Sequence, residues 1–230
     1  MRSFFMALRP RTFLALFLAA ALAACHSAKT EAASGEPVIP TNKAPAILTQ
    51  VGAAPGHAGK GTPLVATGDD KLAAFAAGCF WGVEDAFRHV PGVVATAPGY
   101  AGGHAENPTY EDVCTHTTGH AETVLVEYDP HVITYAKLLS AFWKIHDPTQ
   151  GDRQGPDFGD SYRSVVFTFG DDQAKVARAS LEAEQKNHAQ KITTQITTME
   201  RFYIAEPFHQ QYAERTGDHS CPIKLSMDSL

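Results

Sequence analysis

Cys79 stands in Gly78-Cys79-Phe80-Trp81-Gly82, after a short apolar stretch, Leu72 to Ala77. Behind it Val83, Ala86, Phe87 and Val90 recur at helical spacing until Pro91-Gly92 ends the pattern, so the cysteine is expected at a strand-to-helix turn. There it would meet unpaired N–H groups and the positive end of the helix dipole, and the expectation is a lowered pKa. Thiolate, not thiol, is the attacking form of sulfur. Gly78 and Gly82 leave room for backbone or substrate to come close. A cysteine followed by Phe and Trp is otherwise ordinary buried packing, and only the residues around it separate the two readings.

The elements that must position this turn are legible as an alternation of strands and helices. Glu122 to Tyr128 alternates as a strand, Ser164 to Phe169 is a second strong strand, and a third lies near Ile192 to Thr198. Thr134 to His146 reads as a helix whose Leu138, Leu139, Phe142 and Trp143 face a core, and Asp171 is expected to cap a polar-rich helix reaching about Gln190. Interleaved strands and helices predict an α/β or α+β two-layer sandwich. Two glycine-rich stretches, Pro98 to Pro108 and Gln150 to Gly159, are long for plain connections and are expected to carry function.

With 230 residues, 44% hydrophobic and 19% charged, the chain can build one ordinary core plus appendages. Nineteen basic against 25 acidic residues give net −6, and no basic cluster is present, so a nucleic-acid partner is not expected. Cys25, Cys79, Cys114 and Cys221 include no CxxC pair, and the eleven histidines are scattered without HExxH, so no metal site is expected.

Arg2, Arg9 and Arg11 precede the apolar run Thr12 to Leu22, which suits a signal h-region better than a membrane span. Leu22-Ala23-Ala24-Cys25 resembles a bacterial lipobox, which implies a signal peptide over 1–24 and acylation of Cys25. Residues 25–69 are rich in Ala, Pro, Gly, Thr and Lys and read as a flexible tether, with 44–51 alternatively an arm packed on the domain. The location expected is the cell envelope. His26 stands where an aspartate often signals inner-membrane retention, which favours an outer-membrane anchor facing the periplasm.

The pentapeptide around Cys79 resembles the GCFWG signature of the class A peptide methionine sulfoxide reductases. The likeness continues in order through Gly99-Tyr100-Ala101-Gly102-Gly103, Asn107-Pro108-Thr109-Tyr110-Glu111, Thr118-Gly119-His120-Ala121-Glu122, His146-Asp147-Pro148-Thr149, Tyr162-Arg163-Ser164 and Ala205-Glu206-Pro207-Phe208-His209-Gln210. It implies a catalytic domain over 70–215, a mixed sheet with a ferredoxin-like core, and a tail over 216–230.

Reducing a sulfoxide needs a soft nucleophile at sulfur while the departing oxygen is protonated. The resemblance assigns the attack to Cys79, the proton to Glu122, and hydroxyls near the same oxygen to Tyr110 and Tyr162. It sets Asp157 beside the reacting group, makes Phe80 and Trp81 the walls for the substrate's methyl and thioether, and implies preference for the S epimer. Many family members carry two tail cysteines; here Cys221 alone is present, so it is expected to resolve the Cys79 sulfenic acid directly, and Cys114 is given no catalytic part. His116 departs from a glycine common in relatives. The implied partners are methionine sulfoxide, in oxidised proteins or free, and a thioredoxin-like protein as reductant, with no other cofactor. A monomer, held to the membrane by the lipid, is expected. Two further hypotheses are a thiol peroxidase, which would need no methyl pocket, and a lipoprotein that binds a partner through its Gly/Tyr/His loops.

Overall fold

A computed structural model of the chain describes residues 51–53, 63–64, 66, 68–219 and 221. The expected signal peptide, Cys25 and most of the expected tether lie outside the described residues. Of the possible arm at 44–51, only Val51 is described; it belongs to Val51–Ala53, which pairs antiparallel with Pro63–Leu64.

One six-stranded sheet organises the rest. In chain order its strands and the helices around them are β1 (Lys71–Ala77), α1 (Phe80–Arg88), β2 (Val93–Ala101), α2 (Tyr110–Cys114), β3 (Ala121–Tyr128), α3 (Tyr135–Lys144), β4 (Ser164–Thr168), α4 (Asp171–Glu184), β5 (Gln195–Thr198), β6 (Phe202–Ile204) and α5 (Tyr212–Thr216). The sheet order is β6-β2-β3-β1-β4-β5, antiparallel at every pair except β4 and β5. From β1 to β4 this is the split βαβ arrangement of a ferredoxin-like core, as expected from the resemblance.

β1 has both faces covered. Ala73, Phe75 and Ala77 join one hydrophobic cluster with Val83 and Phe87 of α1 and Leu138, Leu139 and Phe142 of α3. Ala74 and Ala76 point the other way, into a second cluster with Leu125, Val165, Phe167 and Phe202. A strand buried on both sides shows a continuous apolar run instead of alternation, which is what Leu72 to Ala77 presents. Phe75 lies at the hub of the first cluster, its ring stacked on Phe87 at 4.8 Å and on Phe142 at 5.3 Å between centroids.

The helix expected from Thr134 begins as read, with the Thr134 hydroxyl accepting from the Lys137 N–H. Three expectations need correction. Asp171 is the first residue of α4, not its cap; Gly170 takes that place with φ +97°, and Asp171 and Asp172 sit in the first turn, where the dipole favours them. The helix is also shorter than expected, ending at Glu184 and followed by a 3-10 turn to Asn187. Finally, the stretch Pro98 to Pro108 is not all loop, because β2 runs through Pro98 to Ala101. Pro98 is tolerated there because its carbonyl accepts from the Ala205 N–H just past the end of β6, while the Ala205 carbonyl accepts from the Gln210 side-chain amide in place of the N–H that proline lacks.

Candidate active site

Cys79 is the N-cap residue of α1, so the expected strand-to-helix turn is present and opens the helix on the nucleophile. Gly78 makes the turn with φ +99°, and a Cβ there would stand 2.8 Å from Cγ of Gln154. Gln154 belongs to a small hairpin, Arg153–Gln154 against Asp157–Phe158, and the second glycine-rich stretch thereby packs directly against the turn.

Glu122 comes to the same place from β3. β1 and β3 are antiparallel with Phe75 opposite Val124, so the end of one strand adjoins the start of the other. The Phe80 N–H, an orphan donor of the first turn of α1, donates to Oε2 of Glu122 at 2.9 Å. Glu122 is buried at 3% exposure, and burial pushes its carboxyl up to about 8 in spite of that hydrogen bond. The group is therefore neutral at pH 7 and has a proton to give.

Tyr110 opens α2, where a Thr109–Asp112 capping box fixes the start and Glu206 accepts from the Tyr110 N–H at 2.8 Å. Tyr162 ends a 3-10 turn, Asp160–Tyr162, that leads into β4. Burial raises both phenols well above their usual range, and the charge of Glu122 adds to the effect in each, so both hydroxyls stay protonated and able to donate. Asp157 is raised by burial, and its charge reaches Glu122, Tyr162 and Cys221.

The two cysteines do not behave as the helix-dipole argument predicts. Cys79 is pushed above the ordinary thiol value, first by its hydrogen bond to Cys221, then by burial and the charge of Glu122, while the Trp81 N–H pulls it down. Cys221 is lowered, because Cys79 donates to it and the Gly82 N–H points at it as well. The expected lowering at Cys79 is thus overturned. The two thiols share the positive end of α1, with Cys79 donating and Cys221 accepting the hydrogen bond between them.

Phe80 is buried at 1% exposure among Tyr110 (6.3 Å between centroids), Tyr100 (5.9 Å) and His209 (5.0 Å). Trp81, half-buried, lies face to face with Tyr212 at 3.9 Å and donates through Nε1 to Nδ1 of His209 at 3.0 Å. Sequence reasoning gave no role to His209, Glu206 or Tyr212. The first two lie in the motif Ala205 to Gln210, which was the available signal, whereas nothing marked Tyr212. His209 is fully buried and pushed down to about 3, chiefly by burial, so it is the neutral acceptor for the indole.

Cys114 is closer to the chemistry than its expected structural part implies: its thiol is hydrogen-bonded to the Tyr110 hydroxyl, and its charge would act on Tyr162. His116 has φ +57°, the left-handed conformation that glycine adopts without strain. Its ring fills the space over Gly159, and Nδ1 lies 3.1 Å from Oγ of Ser161, so it braces the loop between Asp157 and Tyr162.

Residues 71–229 match the family model described as peptide methionine sulfoxide reductase. The chain is 57% identical over 147 residues to the peptide methionine sulfoxide reductase MsrA of Methanosarcina mazei, covering 63% of this chain and 70% of that one. To the MsrA of Geobacter sulfurreducens it is 56% identical over 151 residues, 65% of this chain and 93% of that one. Among solved structures, methionine sulfoxide reductase A of Corynebacterium diphtheriae superposes with a TM-score of 0.69 at 38% identity, over 74% of this chain and 87% of that chain. With the buried acid, the paired thiols and the two phenols gathered at the start of one helix, this chain belongs to the peptide methionine sulfoxide reductase family.

Proposed function

We propose that this enzyme reduces the S epimer of methionine sulfoxide, in oxidised proteins and as the free amino acid, with Cys79 as nucleophile and Glu122 as proton donor. The observation that carries the reading is the Phe80 N–H to Glu122 hydrogen bond of 2.9 Å, which holds a buried, protonated carboxyl beside the residue that opens α1.

Cys79 attacks from the N-cap of α1, where the Trp81 N–H favours its thiolate. The Cys79 thiolate attacks the sulfoxide sulfur while Glu122 protonates the oxygen, helped by the hydroxyls of Tyr110 and Tyr162. The hydroxyl then passes from the methionine sulfur to the Cys79 sulfur as the transient bond between the two sulfurs breaks, so methionine leaves with its sulfur reduced by two electrons and Cys79, oxidised by two, carries the hydroxyl as a sulfenic acid. Phe80 and Trp81 receive the methyl and thioether, an arrangement sulfur favours at aromatic edges. Asp157, near Glu122, favours the acid's protonated form.

Cys221 then attacks the sulfenic sulfur. An S–S bond forms, the S–O bond breaks, and the hydroxyl leaves as water with the Cys221 proton. A thioredoxin-like dithiol reduces the disulfide by exchange and is itself oxidised. The lipobox-like Leu22 to Cys25 supports a lipid-anchored monomer in the cell envelope, tethered at the outer membrane and facing the periplasm.

The test is Cys79→Ser, which removes methionine formation while the fold is retained. Turnover that survives the substitution would sink the reading, and a faster reaction with hydrogen peroxide than with methionine sulfoxide would favour a peroxidase instead. Assaying the separated epimers checks the stereochemistry, and mass analysis of Cys25 checks the lipid.

A further inference from the structure

α1 carries more than the nucleophile's turn. Glu84, five residues after Cys79, is buried at 1% exposure and spends both carboxylate oxygens on its neighbours. Oε2 accepts from the Gln211 N–H at 2.8 Å, and Oε1 accepts from the Gln211 side-chain amide at 3.2 Å and from the Thr96 hydroxyl at 2.9 Å. Arg88, one turn further along, donates from Nη1 to the same Thr96 hydroxyl at 3.0 Å. With Nε and Nη2 it holds both oxygens of Glu214, at 2.8 and 3.2 Å, in α5.

Gln211 is the cap of α5 and has φ +47°, a left-handed conformation that a residue with a Cβ adopts only under constraint. Its backbone N–H and side-chain amide both end on Glu84. The residue after it, Tyr212, lies face to face with Trp81, and His219 Nδ1 reaches Asp85 Oδ2 at 3.2 Å. Cys221 follows two residues later and lines a cleft with Trp81, Gly82, Asp85, Ala213 and His219. Residues 211–219 and Cys221 are therefore laid along one face of the helix that begins at Cys79, and their first fixed point is the buried Glu84 carboxyl.

We propose that Glu84 is a positioning residue for the resolving step: it clamps the start of the C-terminal segment to α1, so that Cys221 is presented to the Cys79 sulfenic acid. This rests on the reading of Cys221 as the resolving thiol. Glu84 touches neither reacting sulfur. Its effect is on the effective concentration of one thiol at the other, which falls when the base of the segment is released. Burial raises the Glu84 carboxyl to about 7, while the Thr96 hydroxyl, Arg88 and the Gln211 amides draw it back toward the anion.

The experiment is a single turnover on methionine sulfoxide without reductant, with methionine and the Cys79–Cys221 disulfide quantified separately at each time. Variants are Glu84→Gln, which replaces an acceptor with an amide donor, and Glu214→Ala, a surface change that leaves the core intact. In both variants methionine appears within twofold of the wild-type rate. Disulfide formation is at least tenfold slower in Glu84→Gln and several-fold slower in Glu214→Ala, with the sulfenic acid trapped by a dione probe in the interval. Disulfide formation at the wild-type rate in Glu84→Gln overturns the proposal, as does equal slowing of both steps. Should Glu84→Gln fail to fold, Glu214→Ala decides alone, and wild-type kinetics in it overturn the proposal. A wild-type enzyme that forms no Cys79–Cys221 disulfide, or a Cys221→Ser variant that cycles normally with a thioredoxin-like donor, marks failure of the underlying reading and takes the positioning role with it.

Discussion

The Phe80 N–H and the Glu122 carboxylate meet at 2.9 Å, which joins the first turn of a helix to the first turnward residues of a strand 42 positions away. This bond favours the anion, yet burial outweighs it and the acid stays protonated to about pH 8. The consequence is a site whose proton supply has a pH limit.

Single-turnover methionine formation should accordingly fall as pH rises through about 8, as the neutral fraction of Glu122 is lost. Glu122→Gln removes that limb and slows the step ~10²–10⁴-fold, the usual scale for losing a general acid. Stopped-time assays from pH 6 to 10 check both. Linkage has the same sign: the folded pKa lies above the unfolded value of 4.5, so the stability Glu122 confers is complete below about 4.5 and is lost as pH rises to about 8.

Gly78→Ala should lower stability by ~1–3 kcal/mol, because φ +99° is strained for alanine and the added methyl meets Gln154 at 2.8 Å. Urea unfolding measures the loss. Activity of the folded fraction should drop as well, since the turn that displaces Gln154 is the one that aims Cys79.

His209→Leu keeps a buried side chain of similar size but leaves the Trp81 indole N–H without its acceptor at 3.0 Å. Losing one such bond costs ~1 kcal/mol, so KM should rise about fivefold through a loosened Trp81 wall. Little change in single-turnover kcat is expected, and steady-state kinetics on free and peptide substrates separate the two constants.

Phe75→Ala should cost ~3–5 kcal/mol, a value typical of a truncated buried aromatic. The ring is fully buried and bridges Phe87 of α1 to Phe142 of α3. Thermal and urea denaturation check this, and the resulting cavity lies on the helix face away from Cys221, so the disulfide step should be preserved at low temperature.

Much of this molecule could be read from its residues. β1 and β3 announced themselves as apolar or alternating runs, α1 and α3 by helical spacing, and the order of motifs by resemblance. β2 was not read as a strand at all, because Pro98 and Gly99 argue locally against one, although β3 and β6 impose it from either side. The charge state of Cys79 was misjudged for a similar reason. A helix start alone predicts a lowered thiol, but Cys221, far along the chain, is hydrogen-bonded to it and takes the lowering for itself. Tyr212 and Glu84 carry no local mark at all; their importance comes from the way the C-terminal segment folds back over α1.

The antiparallel register of β1 on β3, with Phe75 opposite Val124, has a further meaning. Side chains on a strand alternate between its two sides, so sliding β3 by a single position would turn the Glu122 carboxyl away from Cys79 while offering the backbone an equivalent ladder. Turnover is thereby an internal proofreader of pairing: a mis-slid conformer can be compact and still be chemically silent.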